Sequence, residues 1–508
     1  MKVRLLHPDR HLGSNVEVVP HAAALTADLG LEVVLDAAGG GDDRVRAAVR
    51  RVLLAPPDDA EVVRRRQGAV ADALAVPTTV RELYEVITQG LEAAQRSSVG
   101  LFRDAPDPLV RRGVERLGIH VGVLRRVRTL LEASRPRTTG TAWRALVDDA
   151  VATFDEPHLA EIEDHLEVLS FTRGVQFKAR IGRGGLPTGH VLQRPRDLGW
   201  LARARDRTGA SGASFDLADR DDAGLDALAR WRDQALAPVA AVLVRAGDDL
   251  DRLLTELREE LAVLVGAVNL DARLRAAARP VCRPEVVDAG AGVWPVLAAD
   301  GLVDPALALS TGGEVVGNDL ALDGAALTLV TGANQGGKST LLRSLGTAQL
   351  LLQAGLPVPA VRYRGQVVGA VHTHFGREED RELARGKLEE ELERMRRTAE
   401  VLRPGDLLLL NESFAATNER EGSELAHGVI RGCLDAGVRV VAVTHLYELA
   451  ERLHRSEQHR AAFLRAERDE DGGRTFRVTP GAPLATSFGQ DLYRRILGRD
   501  PGQPQGGS

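Results

Sequence analysis

The 508-residue chain has few cysteines and no long uninterrupted apolar run. Its two cysteines, Cys282 and Cys433, lie far apart and outside any metal-ligand spacing, which argues against a cysteine-based metal site. A disulfide between them is possible in principle, but we favour two small buried apolar residues in a reducing compartment. The N-terminus lacks the apolar core of a signal peptide, and no run approaches membrane-spanning length. We therefore expect a cytoplasmic protein with no membrane partner.

A strong charge of either sign is also lacking, since the formal net charge is -6 at pH 7. Such a balance does not indicate a polyanionic partner, so any nucleic-acid surface has to be a local patch. The length suffices for about three domains. We predict an N-terminal segment over 1–40, a helical domain over 41–290, an α/β domain over 291–497 and a disordered tail over 498–508.

Residues 41–290 show mostly helical periodicity. The predicted helices cover 44–54, 80–94, 108–131, 141–152 and 158–169, and a further one, capped at 58 or 59, runs through 62–74. A long helix is predicted over 225–274, where leucines recur at alternating steps of four and three at Leu250, Leu254, Leu257, Leu261 and Leu264. We favour a core stripe for this row, with a surface for a partner helix as the alternative.

A basic insertion interrupts the helical region at about 170–215. Residues 171–181 alternate as a strand does, and 190–192 predict a second short strand after a glycine-rich interruption. Basic residues outnumber acidic ones here: Arg173, Lys178, Arg180, Arg183, Arg194, Arg196, Arg203, Arg205 and Arg207. We hypothesise that this stretch contacts DNA phosphates; the alternative is an ordinary solvated loop.

The strongest motif of the chain is TGANQGGKST, residues 331–340, which follows an apolar run over 326–330. The order of buried strand, glycine-rich turn and helix is that of a phosphate-binding loop. The predicted nucleotide contacts are Gly332, Ala333, Asn334, Gln335, Gly336, Gly337, Lys338, Ser339 and Thr340. Backbone N–H groups and the helix N-terminus would face phosphate, Lys338 would reach the terminal phosphates and Ser339 would hold Mg²⁺.

A second group of polar residues follows the leucine run 407–410. Asn411 and Glu412 stand at its carboxyl end, where open α/β sheets bind ligands. Glu412 is predicted to act as the general base on the attacking water, with a solvated strand-end carboxylate as the alternative. Asn411 is predicted to help hold Mg²⁺, although an amide brings no negative charge. His445 ends a third strand, and we favour a bond to the γ-phosphate or its water over a capping role.

A charged amphipathic helix is predicted over 377–402, between the loop and the second polar group. Its inward-facing residues are expected to be Leu388, Leu392, Met395, Ala399 and Leu402. By itself this pattern predicts only a helix whose apolar side chains pack into a core and whose charged face is solvated.

These motifs together resemble the MutS mismatch-repair ATPases, whose phosphate loop typically has the sequence TGPNMGGKST. The resemblance continues through 355–360, 373–376, Gly386, 411–422, 444–445 and 480–489, in the family's order, and more weakly through 52–70 and 280–284. It implies an ABC-type P-loop NTPase domain after an all-α core and lever domain with a small β insertion. It further implies ATP and Mg²⁺ as cofactors, with ATP bound between the ATPase domains of a homodimer.

The departures from the family pattern set further expectations. Only about forty residues precede the lever-like helices, so the N-terminal mismatch-recognition and connector domains are expected to be missing. The family's signature serine, which would contact the nucleotide of the other subunit, is Leu388 here, with Lys387 as a candidate substitute. The dimerisation helices and the nuclease-type tail of the shorter branch have no counterpart.

Three hypotheses for function follow. The first is a DNA-structure-responsive ATPase that binds mismatched or otherwise structured DNA in repair or recombination control, as a nucleotide-gated dimeric clamp. The second is an ATP-driven clamp on RNA, the ribosome or a protein. The third is a nucleotide switch with little turnover, motivated by Asn411 and Leu388.

Overall fold

The computed structural model describes residues 1–12, 19, 21–97, 105–171, 177–182, 187–193, 221–277, 279–288, 295–311, 314–332, 336–376, 384–415, 417–469 and 474–483. Within these ranges the chain forms two compact units. The helical unit comprises Met1–Arg4 and Val76–Leu261. The sheet unit comprises Leu5–Ala75 and the described residues from Ala262 onward. No helix of the described residues has both the length and the apolar character needed to cross a membrane.

The helices are α1 (Ala22–Leu29), α2 (Leu31–Gly39), α3 (Asp43–Leu54), α4 (Ala60–Ala75), α5 (Pro77–Ser97), α6 (Pro106–Ser134), α7 (Thr141–Thr153), α8 (Glu156–Leu169), α9 (Asp222–Ala276), α10 (Pro305–Ser310), α11 (Lys338–Ala354), α12 (Ala384–Val401), α13 (Glu419–Asp435) and α14 (Tyr447–Glu457). The strands are β1 (Phe177–Ile181), β2 (Pro187–Leu192), β3 (Glu285–Val287), β4 (Leu297–Leu302), β5 (Asn318–Ala321), β6 (Leu327–Thr331), β7 (Arg362–Gln366), β8 (Val371–Phe375), β9 (Leu407–Asn411), β10 (Arg439–Val443), β11 (Ala461–Arg468) and β12 (Arg474–Pro480).

The helical unit is built on α6, which packs against α5, α7 and α8. Close approach of α5 and α6 needs Gly90, because a Cβ there would lie 2.3 Å from a methyl carbon of Val123. The long helix α9 carries the predicted leucine row, and Leu254, Leu257, Leu261 and Leu264 are all buried. A row at this spacing places its members on one helix face, so their burial agrees with a core stripe.

The predicted insertion includes an antiparallel hairpin of β1 and β2. Lys178 and Arg180 are exposed on its first strand. The other basic residues of the stretch proposed for DNA contact lie outside the described residues: Arg173, Arg183, Arg194, Arg196, Arg203, Arg205 and Arg207. The hairpin therefore presents two of the nine basic side chains of this stretch to solvent.

The sheet unit is centred on six strands in the order β12-β11-β6-β10-β9-β8. The five strands from β11 to β8 are parallel, and β12 runs antiparallel at one edge. Buried parallel strands need apolar side chains on both faces, which is why β6, β9 and β10 are near-continuous apolar runs. Leu408, Leu410 and Val440 pack in a core with α13 and α14, whereas α11 covers the opposite face at Leu409. A second sheet has the order β3-β7-β4-β5.

The N-terminal helices belong to this sheet unit, since α1, α3 and α4 pack against α11. Gly355 ends α11 with φ 77°, and a Cβ there would lie 2.5 Å from Arg66 Cβ on α4. Gln353 on α11 donates to the carbonyl oxygen of Pro57 at 2.9 Å. The division thus differs from the boundaries expected near residues 40 and 290, because periodicity marks a helix without saying which core it packs against.

Candidate nucleotide-binding site

The predicted phosphate loop joins the fully buried strand β6 to helix α11. Gly332 has φ 112° and Gly337, the N-cap of α11, has φ 87°, in the left-handed region that favours glycine. A Cβ on Gly332 would lie 3.0 Å from Ala466 N, and one on Gly337 would lie 3.2 Å from Phe476 O. Both glycines are therefore required by backbone conformation and by close neighbours. Ala333, Asn334 and Gln335 lie outside the described residues.

The first residues of α11 carry the polar groups of the loop. Lys338 is buried, and its Nζ donates to Gly332 O at 2.9 Å, back across the loop. Burial lowers the Lys338 pKa, while the negative charge of Glu412 acts in the opposite direction. Gly336 is buried and Thr340 is half-buried beside them. An anion at this position would be attracted both by the Lys338 ammonium group and by the N-terminus of α11.

The predicted metal residues are directly bonded to each other, because Ser339 Oγ donates to Asn411 Oδ1 at 2.9 Å. Both offer neutral oxygen donors, which suit Mg²⁺ when phosphate oxygens supply the negative charge. Among the described residues, no three His, Cys, Asp or Glu side chains are grouped to hold a metal ion. The donor set therefore fits a magnesium ion held jointly with a nucleotide, and gives no sign of a site that holds one alone.

Strand topology brings these residues to one edge of the sheet. Strand β10 lies between β6 and β9, and Val443 is in register with both Val330 and Asn411. Beyond the strands, Glu412 N donates to Val443 O at 2.9 Å and Thr444 N donates to Val330 O at 3.1 Å. Because parallel strands end at the same edge, residues far apart in the sequence become neighbours.

Glu412 and His445 lie at the open side of this edge. Glu412 Oε1 is 4.0 Å from His445 Nδ1, and the two side chains are 36% and 43% exposed. Glu412 is also near enough to Lys338 to act on its pKa. The structure therefore brings together Lys338, Ser339, Asn411, Glu412 and His445, with both potential acid–base groups accessible to water.

The turn after β9 has a backbone conformation that the sequence did not predict. Glu412 and Phe414 are not glycines, yet their φ angles are 51° and 63°. Such conformations cost about 1–3 kcal/mol each and persist only where the surroundings enforce them. A Cβ on Gly422 of α13 would lie 2.4 Å from Phe414 O, so this helix approaches the turn as closely as backbone atoms allow.

Phe476 on β12 is a second residue that sequence reasoning missed. Its backbone oxygen lies beside Gly337, its φ is 57° and its side chain is 48% exposed. No motif marks this position, because tertiary contacts, among them the antiparallel pairing of β12 with β11, bring the strand to the loop. An exposed aromatic ring next to a phosphate loop can offer a stacking face to a planar ligand.

Helix α12 departs in part from its sequence prediction. Met395 is buried as expected, but Leu392 and Ala399, both expected to face inward, are exposed. Glu391, from the run of three glutamates at 389–391, is instead 6% exposed. The physical reason is a polar environment on the sheet side, where Glu391 accepts a backbone hydrogen bond.

Comparison with known proteins matches two family models to separate parts of the chain. The model of the MutS2 N-terminal domain matches residues 58–277, and the model of MutS domain V matches residues 328–492. This chain belongs to the MutS family. The part of this MutS-family chain matched by domain V contains every residue predicted to contact the nucleotide or the metal ion.

Curated relatives are similar over parts of their length. The endonuclease MutS2 of Lacticaseibacillus casei is 30% identical over 233 residues, covering 43% of this chain and 28% of that protein. The DNA mismatch repair protein MutS of Chloroflexus aurantiacus is 31% identical over 216 residues, covering 40% and 22%. The endonuclease MutS2 of Thermus thermophilus is 31% identical over 137 residues, covering 27% and 18%. The chain thus spans less than a third of these relatives' lengths.

Proposed function

We propose that this chain binds ATP with Mg²⁺ at the sheet edge and hydrolyses it, in an ABC-type P-loop NTPase domain. The observation that carries the proposal is the hydrogen bond of Ser339 to Asn411, which joins the phosphate loop to the strand-end group. Lys338 and Glu412 flank this pair with opposite charges. Positioning and electrostatic stabilisation are what phosphoryl transfer requires of a protein.

In this proposal, a water molecule attacks the γ-phosphorus while the bond to the β–γ bridging oxygen breaks, which releases ADP and inorganic phosphate. Glu412 accepts the proton of the water, and His445 donates a hydrogen bond to the γ-phosphate or to that water. Lys338 and the backbone amides of the loop stabilise the negative charge. Mg²⁺, held through Ser339 and Asn411, would neutralise phosphate charge, and the neutral Asn411 attracts it less than a carboxylate does.

The adenine base would stack on the exposed ring of Phe476. The ring lies on the strand whose backbone touches Gly337, next to the start of α11. Base–aromatic stacking tolerates any planar base, so this contact adds affinity more than it selects adenine.

The partner in this proposal is DNA, in a structure-dependent contact that serves repair or recombination control. Support comes from the relatives' names, which include a DNA mismatch repair protein and endonucleases, and from exposed Lys178 and Arg180. Two copies would close through their ATPase domains when ATP binds and open after hydrolysis, as a cytoplasmic homodimeric clamp. Basic side chains on a hairpin would bind the phosphate backbone without reading sequence.

The experiment is an ATPase assay of wild type, Glu412→Gln and Glu424→Gln, alone and with duplex, mismatched or branched DNA and structured RNA. Glu412→Gln is expected to reduce kcat about a hundredfold or more while retaining nucleotide binding, because the general base is lost. Glu424 is exposed on α13 and forms an ion pair with Arg420, so its variant is the matched control and should remain active.

Branched or mismatched DNA is expected to raise wild-type turnover above the level with RNA. Stimulation by RNA alone would replace DNA with RNA as the partner, in line with an ATP-driven clamp on another class of molecule. If wild type and Glu412→Gln hydrolysed ATP equally slowly, hydrolysis at this site would be contradicted. The hypothesis of a nucleotide switch with little turnover would then be favoured.

A further inference from the structure

The turn that carries Glu412 is held by groups outside the phosphate site. Its residues Glu412 and Phe414 both have positive φ, which residues other than glycine rarely adopt. Glu412 N is fixed on β10 through Val443 O. The groups that fix Ser413 and Phe414 come from β8 and α12, and neither element belongs to the phosphate loop.

The first of these groups is the carboxyl of Glu391 on α12. Its Oε1 accepts the Phe414 backbone N–H at 2.7 Å, two residues beyond Glu412. Glu391 is buried, and burial raises its pKa, while the bond from Phe414 N–H acts in the opposite direction. A buried carboxyl is costly unless it is hydrogen-bonded, so its presence indicates that the bond to this turn matters.

The second group is the imidazole of His374 on β8. Its Nδ1 lies 2.8 Å from Ser413 Oγ and its Nε2 lies 3.2 Å from Glu391 O. Burial lowers the pKa of His374 to about 4, so the ring is neutral near pH 7. A neutral ring that faces a carbonyl at Nε2 donates there and accepts from the Ser413 hydroxyl at Nδ1, an assignment made from the bonding partners.

His374 also supports the turn through ring packing and backbone. Its imidazole stacks on the buried Phe414 ring at 5.8 Å between centroids. Ser413 Oγ lies 2.9 Å from His374 O as well, so its one proton is shared between two acceptors of the same residue. The Ser413 hydroxyl, the Phe414 ring and the Phe414 backbone N–H are therefore tied to β8 or α12.

We propose that Glu391 and His374 are positioning residues that hold Glu412 in its hydrolytic geometry and make that geometry depend on the position of α12. The inference rests on the proposed ATPase function. Neither residue bonds to the described residues of the phosphate loop; each acts on Glu412 through Phe414 or Ser413. A shift of α12 that withdraws the Glu391 oxygen removes the partner of Phe414 N–H, and the turn relaxes toward ordinary φ angles.

The test compares Glu391→Leu, Glu391→Gln and Glu400→Leu by steady-state ATPase kinetics, titration with a fluorescent ATP analogue, and melting temperature. Glu391→Leu is expected to lower kcat at least about tenfold, since small misplacement of a catalytic group is costly, with KM and nucleotide affinity within about twofold. Glu391→Gln keeps an oxygen acceptor for Phe414 N–H, so it should retain most of the wild-type kcat. Glu400 is exposed on the same helix, and its loss should change little.

Provided that wild type is active and Glu412→Gln is inactive, three outcomes would overturn the inference. The first is a wild-type kcat in Glu391→Leu, and the second is an equal loss of kcat in Glu391→Leu and Glu391→Gln. The third is a loss of nucleotide affinity in Glu391→Leu as large as its loss of kcat. Absence of turnover in wild type would instead refute the proposed function itself. If Glu391→Leu does not fold, Ser413→Ala tests the other arm, with a kcat about fivefold lower and unchanged KM expected. An unchanged kcat in Ser413→Ala would then contradict the proposal.

Discussion

The two halves of the candidate site reach similar backbone conformations by different means. At the phosphate loop, positive φ falls on Gly332 and Gly337, where the absence of a Cβ makes it inexpensive. At the end of β9, positive φ falls on Glu412 and Phe414, where it is strained and needs support. The described glycines of the loop therefore adopt positive φ at little cost, whereas the turn depends on contacts with α12, α13 and β8.

We expect this difference to separate nucleotide binding, at the loop, from ATP hydrolysis, at the turn. Groups that cradle phosphate can be built by a short local motif, because backbone N–H groups and one helix N-terminus suffice. A general base, the role proposed for Glu412, must be placed to within a fraction of an ångström, and several distant elements set the position of this turn. Substitutions at the turn should consequently impair turnover, and substitutions in the loop should impair nucleotide binding.

The largest effect is expected from Gly422→Ala, which puts a methyl group against the turn. The nearest atom would be the Phe414 carbonyl oxygen at 2.4 Å. Phe414 has little freedom to move, because Glu391 binds its backbone N–H and His374 stacks on its ring. We expect a loss of about 3 kcal/mol in the free energy of unfolding, as overpacked cores show. Chemical denaturation measures the loss, and kcat should fall with it while the KM for ATP changes less.

Gly428→Ala on the same helix is the matched control for that variant. A Cβ at Gly428 would meet no atom within 4 Å, so only helix propensity changes. That change should stabilise the protein by about 0.5–1 kcal/mol. If both variants behaved alike, close contact between α13 and the turn would not be the cause.

A second, smaller effect concerns the pH dependence of stability at the turn. Because His374 has a pKa of about 4 when folded, below the ordinary value of 6.5, the unfolded chain binds the proton more readily. Stability is therefore unaffected above about pH 6.5 and falls as the pH drops toward 4. Between pH 7 and pH 5 this single group should cost about 2 kcal/mol.

The His374→Gln variant should show a shallower decline over that range, although it is less stable at pH 7 because the Ser413 contact is weakened. Unfolding free energies measured at half-unit pH intervals would reveal the difference in slope. Parallel pH curves for wild type and variant would rule out His374 as the titrating group. Arg394, whose positive charge also lowers the His374 pKa, is present in both proteins.

The smallest change in stability is expected from Gly337→Ala in the loop, compared with Gly405→Ala. The two glycines have φ of 87° and 89°, but a Cβ at Gly405 would meet nothing within 4 Å. Each variant should lose about 1–2 kcal/mol of stability, the cost of an L residue in the left-handed region.

Only Gly337→Ala should also weaken binding of a fluorescent ATP analogue, because Gly337 is the N-cap of the loop helix and lies against Phe476. Equal nucleotide affinity in the two variants would mean that the loop tolerates a distorted backbone. The loop and the turn would then not divide nucleotide binding and hydrolysis between them.

The sequence by itself determined the elements whose signals are local. Apolar runs predicted the buried strands β6, β9 and β10, and the glycine pattern with Lys338 and Ser339 predicted the loop. It also placed Asn411, Glu412 and His445 at strand ends, where the parallel sheet brings them together. Their roles in catalysis stay predictions.

Only the tertiary structure decided which core each helix joins and which polar residues support the site. Nothing in a run of three glutamates distinguishes Glu391, and periodicity placed Leu392 inward in its stead. The positive φ of Glu412 is likewise hidden, because glutamate has no preference for that conformation. Both features arise from contacts between residues distant in the chain, and such contacts exist only once β8, α12 and α13 have packed around the turn.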